Sequence, residues 1–103
     1  MTGMELLKAI LPKEKWAYFK ARRRIVVRTK KYRYLIRANA LTMIYPLRGS
    51  KPLGRACIAL AAYLPDGFYV GCPQEDKMAA EYLLLTNNER RWHATANISW
   101  TPE

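Results

Sequence analysis

The spacing of apolar residues changes twice along this chain, and that change restricts the fold more than any other feature. Met4, Leu7 and Leu11 recur at helical spacing over residues 3–11. Pro12 ends that pattern, because it lacks an N–H, and suits the first turn of a new helix over residues 13–24. On that helix Trp16, Phe19 and Arg23 share one face. Ile25-Val26-Val27 then brings in β-branched residues, and Lys30-Lys31 predicts a turn. In the next stretch Tyr32, Tyr34 and Ile36 point one way, and Arg33, Leu35 and Arg37 the other. Ala38-Asn39-Ala40 predicts a hairpin connection, since Asn tolerates positive φ, and residues 41–45 form the return strand that Pro46 closes.

Residues 48–54 read as a loop by composition. Residues 55–64 are rich in alanine, yet Pro65-Asp66-Gly67 is a turn signal between two apolar runs. They are therefore assigned to a buried strand, with Phe68-Tyr69-Val70 as its partner. Helical spacing returns with Met78, Tyr82 and Leu85, which predicts an amphipathic helix over residues 75–85. Thr86-Asn87-Asn88-Glu89 fits a capping box with Thr86 at the cap, so a second short helix should follow, burying Trp92 and Ala96. Residues 99–103 are expected to fray.

Helices, then short strands, then helices predict an α+β fold. The expected architecture is N-terminal helices, a small twisted antiparallel sheet of about four or five strands, and two C-terminal helices packed on one face. A length of 103 residues suits one domain, residues 1–103, and half of those residues are hydrophobic.

Charge is segregated within this frame. Residues 13–37 contain eleven basic residues and one acid, Glu14, while the rest of the chain balances seven of each. That one stretch therefore carries the whole net charge of +10. An imbalance of this size in a short chain attracts anions: nucleic acid, an acidic protein face or an acidic lipid surface. Lys and Arg neutralise phosphates and release counterions, and interleaved aromatic rings can stack on unpaired bases.

The sequence is accordingly expected to encode a non-enzymatic DNA- or RNA-binding protein that acts through a basic helix–strand surface. The expected contacts are Lys13, Lys20, Arg22, Arg23, Arg24, Arg28, Lys30, Lys31, Arg33 and Arg37, with Trp16, Tyr32 and Tyr34 as stacking candidates. The plainer reading of these rings is burial: Trp16 and Phe19 anchoring the helix, Tyr32 and Tyr34 packing in the sheet. The alternative function is an interaction or inhibitor protein, of the kind carried by phages and mobile elements, that docks its basic face on an acidic protein surface. An exposed edge strand would also support a homodimer.

Other chemistry is weakly signalled. Cys57 and Cys72 have 14 residues between them, and His93 is the single histidine, so neither a metal site nor a disulfide framework is expected, and no cofactor motif is present. Both cysteines are expected to be buried small hydrophobes. Cys72, His93 and Glu75 or Asp76 supply a thiol, a base and an orienting acid on paper, but almost any chain with one histidine offers as much. Glu75 and Asp76 are better explained as acids complementing a helix start. The longest apolar run, residues 56–64, is too short to span a bilayer, and the N-terminus lacks the order of a signal peptide. A soluble, cytoplasmic protein is expected.

Overall fold

The computed structural model describes residues 2–57 and 74–102. Four helices, α1 (Gly3–Ile10), α2 (Lys13–Arg22), α3 (Gln74–Asn87) and α4 (Glu89–Thr95), accompany five strands. The strands are β1 (Arg24–Arg28), β2 (Arg33–Arg37), β3 (Thr42–Tyr45), β4 (Gly54–Cys57) and β5 (Asn97–Trp100). They form one antiparallel sheet in the order β1-β2-β3-β4-β5, so the fold is α+β.

Local chemistry sets the boundaries. Thr2 caps α1 by accepting the Glu5 N–H at 3.1 Å, which satisfies one donor left open at a helix start. Helix α2 ends at Arg22, two residues short of the expected end. Arg23 turns left-handed (φ 58°), and its N–H bonds back to Phe19 O at 2.7 Å. Arg24 then begins β1. Asn39 takes the positive φ (57°) that the β2–β3 connection needs.

Two expectations at the C-terminal end are corrected. The cap of α4 is Asn88, whose side chain accepts the Arg91 N–H; Thr86 and Asn87 belong to α3. Residues 97–100 do not fray. They form β5, in register with β4 from Gly54↔Trp100 to Cys57↔Asn97. The expected turn at 65–67, the strand at 68–70 and residues 58–64 lie outside the described residues.

Alternation divides the sheet into two faces. Ile25, Val27, Tyr34, Ile36, Thr42 and Ile44 are buried and point toward the helices. Helix α3 packs on β1 and β2 and presents Met78, Ala79, Tyr82 and Leu85 to the core. Phe19 from α2 and Trp92 from α4 complete it. Helix α1 lies across α3, with Leu7 fully buried between them.

Gly3 marks the closest approach of α1 and α3. A Cβ there would meet Asp76 Oδ1 and Glu75 Cβ at 2.7 Å and the Asp76 backbone nitrogen at 2.8 Å. The backbone atom cannot swing aside, so one helix must shift. Gly3→Ala is expected to lower unfolding stability by roughly 1–3 kcal/mol in urea titration, despite the better helix propensity of alanine.

Candidate nucleic-acid interface

The face of the sheet turned away from the helical core is built on arginine. Strand register aligns its side chains in three rows. The central row runs Val26, Leu35, Met43, Arg55, Ser99 from β1 to β5. On one side of it stand Arg24 and Arg37, directly opposed across β1 and β2. On the other stand Arg28, Arg33 and Tyr45, also in register. Like charges placed opposite one another on a sheet repel, so both arginine pairs are an electrostatic cost to the free protein.

Two of these arginines are braced. Arg33 Nη2 donates to Gly49 O at 2.7 Å, and its guanidinium lies 5.2 Å from the centre of the Tyr45 ring. Arg37 Nε donates to Leu41 O at 3.0 Å. Each guanidinium retains further N–H donors, because it has five. Arg24, Arg28 and Arg55 are exposed and make no ion pair among the described residues. No acidic residue occurs in the three rows.

The other expected contacts lie elsewhere. Lys13, Lys20 and Arg22 are exposed on α2, and Lys30 and Lys31 form the β1–β2 turn. Arg23 is held in the fold: its guanidinium bonds Glu75 at 2.6 Å and lies 4.7 Å over the Phe19 ring. The neighbouring Lys15 ammonium donates to Val26 O, so α2 covers part of the β1 edge. Arg55 lies outside the basic stretch and was missed. Only its register opposite Met43 and Ser99 brings it into the central row.

Of the stacking candidates, Tyr34 is corrected. Tyr34 is fully buried, and Tyr32 and Trp16 are half-buried against the core, because all three lie on surfaces the fold covers. Tyr32 packs on Tyr34, His93 and Trp100; Trp16 packs on Phe19 at 5.9 Å. A stacking platform of Tyr32 and Tyr34 is therefore closed to a base. Cys57 is also corrected: it is exposed on β4, while Cys72 lies outside the described residues.

Beneath the sheet, polar groups fix the β1–β2 turn. Glu89 accepts from Thr29 Oγ1 at 2.6 Å and from the Tyr34 hydroxyl. Tyr34 has one proton and gives it to Glu89, so its oxygen accepts from His93 Nε2, 2.7 Å away. Burial, with Glu89 beside it, holds the Tyr34 phenol well above its ordinary range. Burial lowers the His93 imidazole, partly opposed by the Glu89 carboxylate. These side chains are occupied with one another, which gives His93 a structural account. Thr29 also accepts from the Lys31 and Tyr32 N–H groups at 3.2 Å, so the basic turn is rigidly tied to α4.

A second buried pair has consequences for pH. Thr42 Oγ1 donates to Glu81 Oε1 at 2.8 Å, and burial raises the Glu81 carboxyl, partly opposed by that bond and by Lys77. With the folded value raised, the unfolded chain loses its proton first as pH climbs. Stability present below the ordinary carboxylate range therefore falls as pH rises through it. Glu81→Gln keeps an acceptor for Thr42 and removes the charge. The thermal midpoint of that variant is expected to exceed that of the parent at pH 7 and to fall less between about pH 4.5 and 7.

Among the described residues, no three His, Cys, Asp or Glu side chains converge to hold a metal ion, and no helix is long and apolar enough to cross a membrane. Compared with known proteins, the chain matches no protein-family model, no curated protein and no solved structure.

Proposed function

We propose that this protein is a non-enzymatic nucleic-acid-binding protein whose contact surface is the arginine-lined face of the sheet. What supports this reading most is the register, which sets Arg24 opposite Arg37 and Arg28 opposite Arg33 and adds Arg55 to the row between them. A fold that bears the repulsion of directly opposed arginines recovers it when an anion lies between them. A phosphodiester backbone offers such anions at regular spacing, and displaced counterions add a favourable entropy. Lys30 and Lys31, on the turn that Thr29 and Glu89 hold, extend the positive surface from the end of β1.

The test is fluorescence anisotropy of labelled DNA and RNA with the purified protein across a salt series. Binding that weakens linearly in log–log form as salt rises supports the reading, with a slope near −0.7 to −0.9 per phosphate contacted. No binding at low salt would overturn it. A second reading has one observation in its favour: Leu35, Met43 and Tyr45 among arginines is a composition common at protein interfaces. On that reading the face docks on an acidic protein surface. It predicts a stoichiometric protein complex that forms without any affinity for free nucleic acid.

A further inference from the structure

Resting on the nucleic-acid reading, we infer that the ligand is single-stranded, with unpaired bases lying along the Val26–Leu35–Met43–Arg55 row. The rows of the sheet face are chemically distinct. The central row begins with three apolar side chains on adjacent strands, Val26, Leu35 and Met43, each half-buried. Arginines stand on both sides of its first half, Arg24 and Arg37 along one flank and Arg28 and Arg33 along the other. Four residues along a strand place those flanks about 13 Å apart. Four strand spacings give the central row a length of about 19 Å.

A duplex is a poor occupant of this surface. It presents charged sugar–phosphate ridges outward and keeps its bases stacked inside. Pressing phosphates on Val26, Leu35 and Met43 would remove water from the anions with no donor to replace it. An unpaired strand offers apolar base faces to the apolar row and phosphates to the arginines at its sides. Sheets that recognise RNA use this division, with bases on the face of the sheet.

The far end of the row supplies an independent observation. It opens into a cleft of about 300 Å³, lined by Met43, Pro52, Arg55, Ser99, Trp100 and Pro102. The Trp100 indole itself turns to the helix-facing side, over Gly54 and near-parallel to His93 6.2 Å away, so the side chains this cleft shares with the row are Met43, Arg55 and Ser99. A guanidinium and an apolar side chain beside two proline rings match the anionic flank and flat face of a nucleotide. The row and the cleft together would engage a short strand of about four nucleotides, the low end of known single-strand site sizes.

The deciding experiment compares one sequence as a labelled single strand and as a duplex, in DNA and in RNA, with the parent protein and with Met43→Ser, Leu35→Ser and Arg24→Glu/Arg28→Glu. Thermal unfolding of each variant confirms that it is folded, and Met43→Ser carries the test should Leu35→Ser disturb β2. The single strand is expected to bind at least tenfold tighter than the duplex. Met43→Ser and Leu35→Ser should each weaken it on the order of tenfold with an unchanged salt slope, because the lost contacts are uncharged. The arginine variant should flatten the slope. Equal or tighter duplex binding, or single-strand affinity indifferent to Met43→Ser, overturns the inference and leaves the nucleic-acid reading standing. Failure of either form to bind at low salt overturns both.

Discussion

Reversing Arg24, Arg28 and Arg55 to glutamate is expected to weaken nucleic-acid binding on the order of a thousandfold at moderate salt, without unfolding the protein. Each of the three is exposed, and none forms an ion pair among the described residues, so the folded state loses little. Charge-assisted hydrogen bonds contribute about 1.5–3 kcal/mol each, and three lost at the low end of that range give the stated factor. Each reversal removes two units of charge, which takes the chain from +10 to +4. The slope of log affinity against log salt should fall by about two to three. The matching control reverses Lys13, Lys20 and Arg22 on α2, with the same change in net charge. If the sheet face is the contact surface, that control keeps most of the affinity. Equal loss in both variants would mean that net charge, and not the register of the sheet, sets the binding.

The largest effect on stability is expected from Trp92→Ala. The Trp92 side chain is fully buried, meets Tyr34 edge-on at 5.1 Å, and joins α4 to the inner face of the sheet. Its removal leaves a cavity that the fixed Tyr34–Glu89–His93 hydrogen bonds keep from collapsing. Such truncations cost about 3–5 kcal/mol, which lowers the midpoint of thermal unfolding by roughly 15–30 °C in a domain of this size. Total stabilities of about 5–15 kcal/mol leave such a variant close to unfolding. Tyr34→Phe is the contrasting case. It keeps the ring and removes one hydroxyl, so a loss of about 1–2 kcal/mol is expected. A cost for Trp92→Ala no larger than that would show that α4 contributes little to the core.

The helices and the first three strands were legible in the sequence because their signals are local. The 3.6-residue spacing of Met78, Tyr82 and Leu85 and the two-residue alternation of residues 32–37 both correspond to the buried faces observed. Asn39 at the hairpin was legible for the same reason. Strand β5 was not. Asn97-Ile98-Ser99-Trp100 has one half-buried residue and three exposed ones, and its partner is distant in sequence. Four of the five arginines of the candidate site were legible, since Arg24, Arg28, Arg33 and Arg37 lie in the basic stretch. Their division from Lys13, Lys20 and Arg23 needed the knowledge of which sheet face the helices cover. Arg55 needed the β3–β4 register. Tyr34 failed as a stacking candidate because a tyrosine that alternates with arginine reads equally as a platform or as a core residue, and Glu89 and His93 resolve that choice from a distant helix.

The order of strands in the sheet also bears on how the chain assembles. Strands β1 to β4 are neighbours in both sequence and space, so each pairing closes a short loop. Pairing Cys57 with Asn97 closes one of about forty residues and brings α3 and α4 with it. Loop-closure entropy places that step after the meander, so the sheet should gain its fifth strand last. In a stopped-flow refolding experiment, the burial of Trp92 and the pairing of Trp100 would then trail the formation of the β1–β4 hairpins. Until β5 docks, β4 is an open sheet edge, and a nascent population of this protein passes through a state that can recruit a strand from a neighbouring copy.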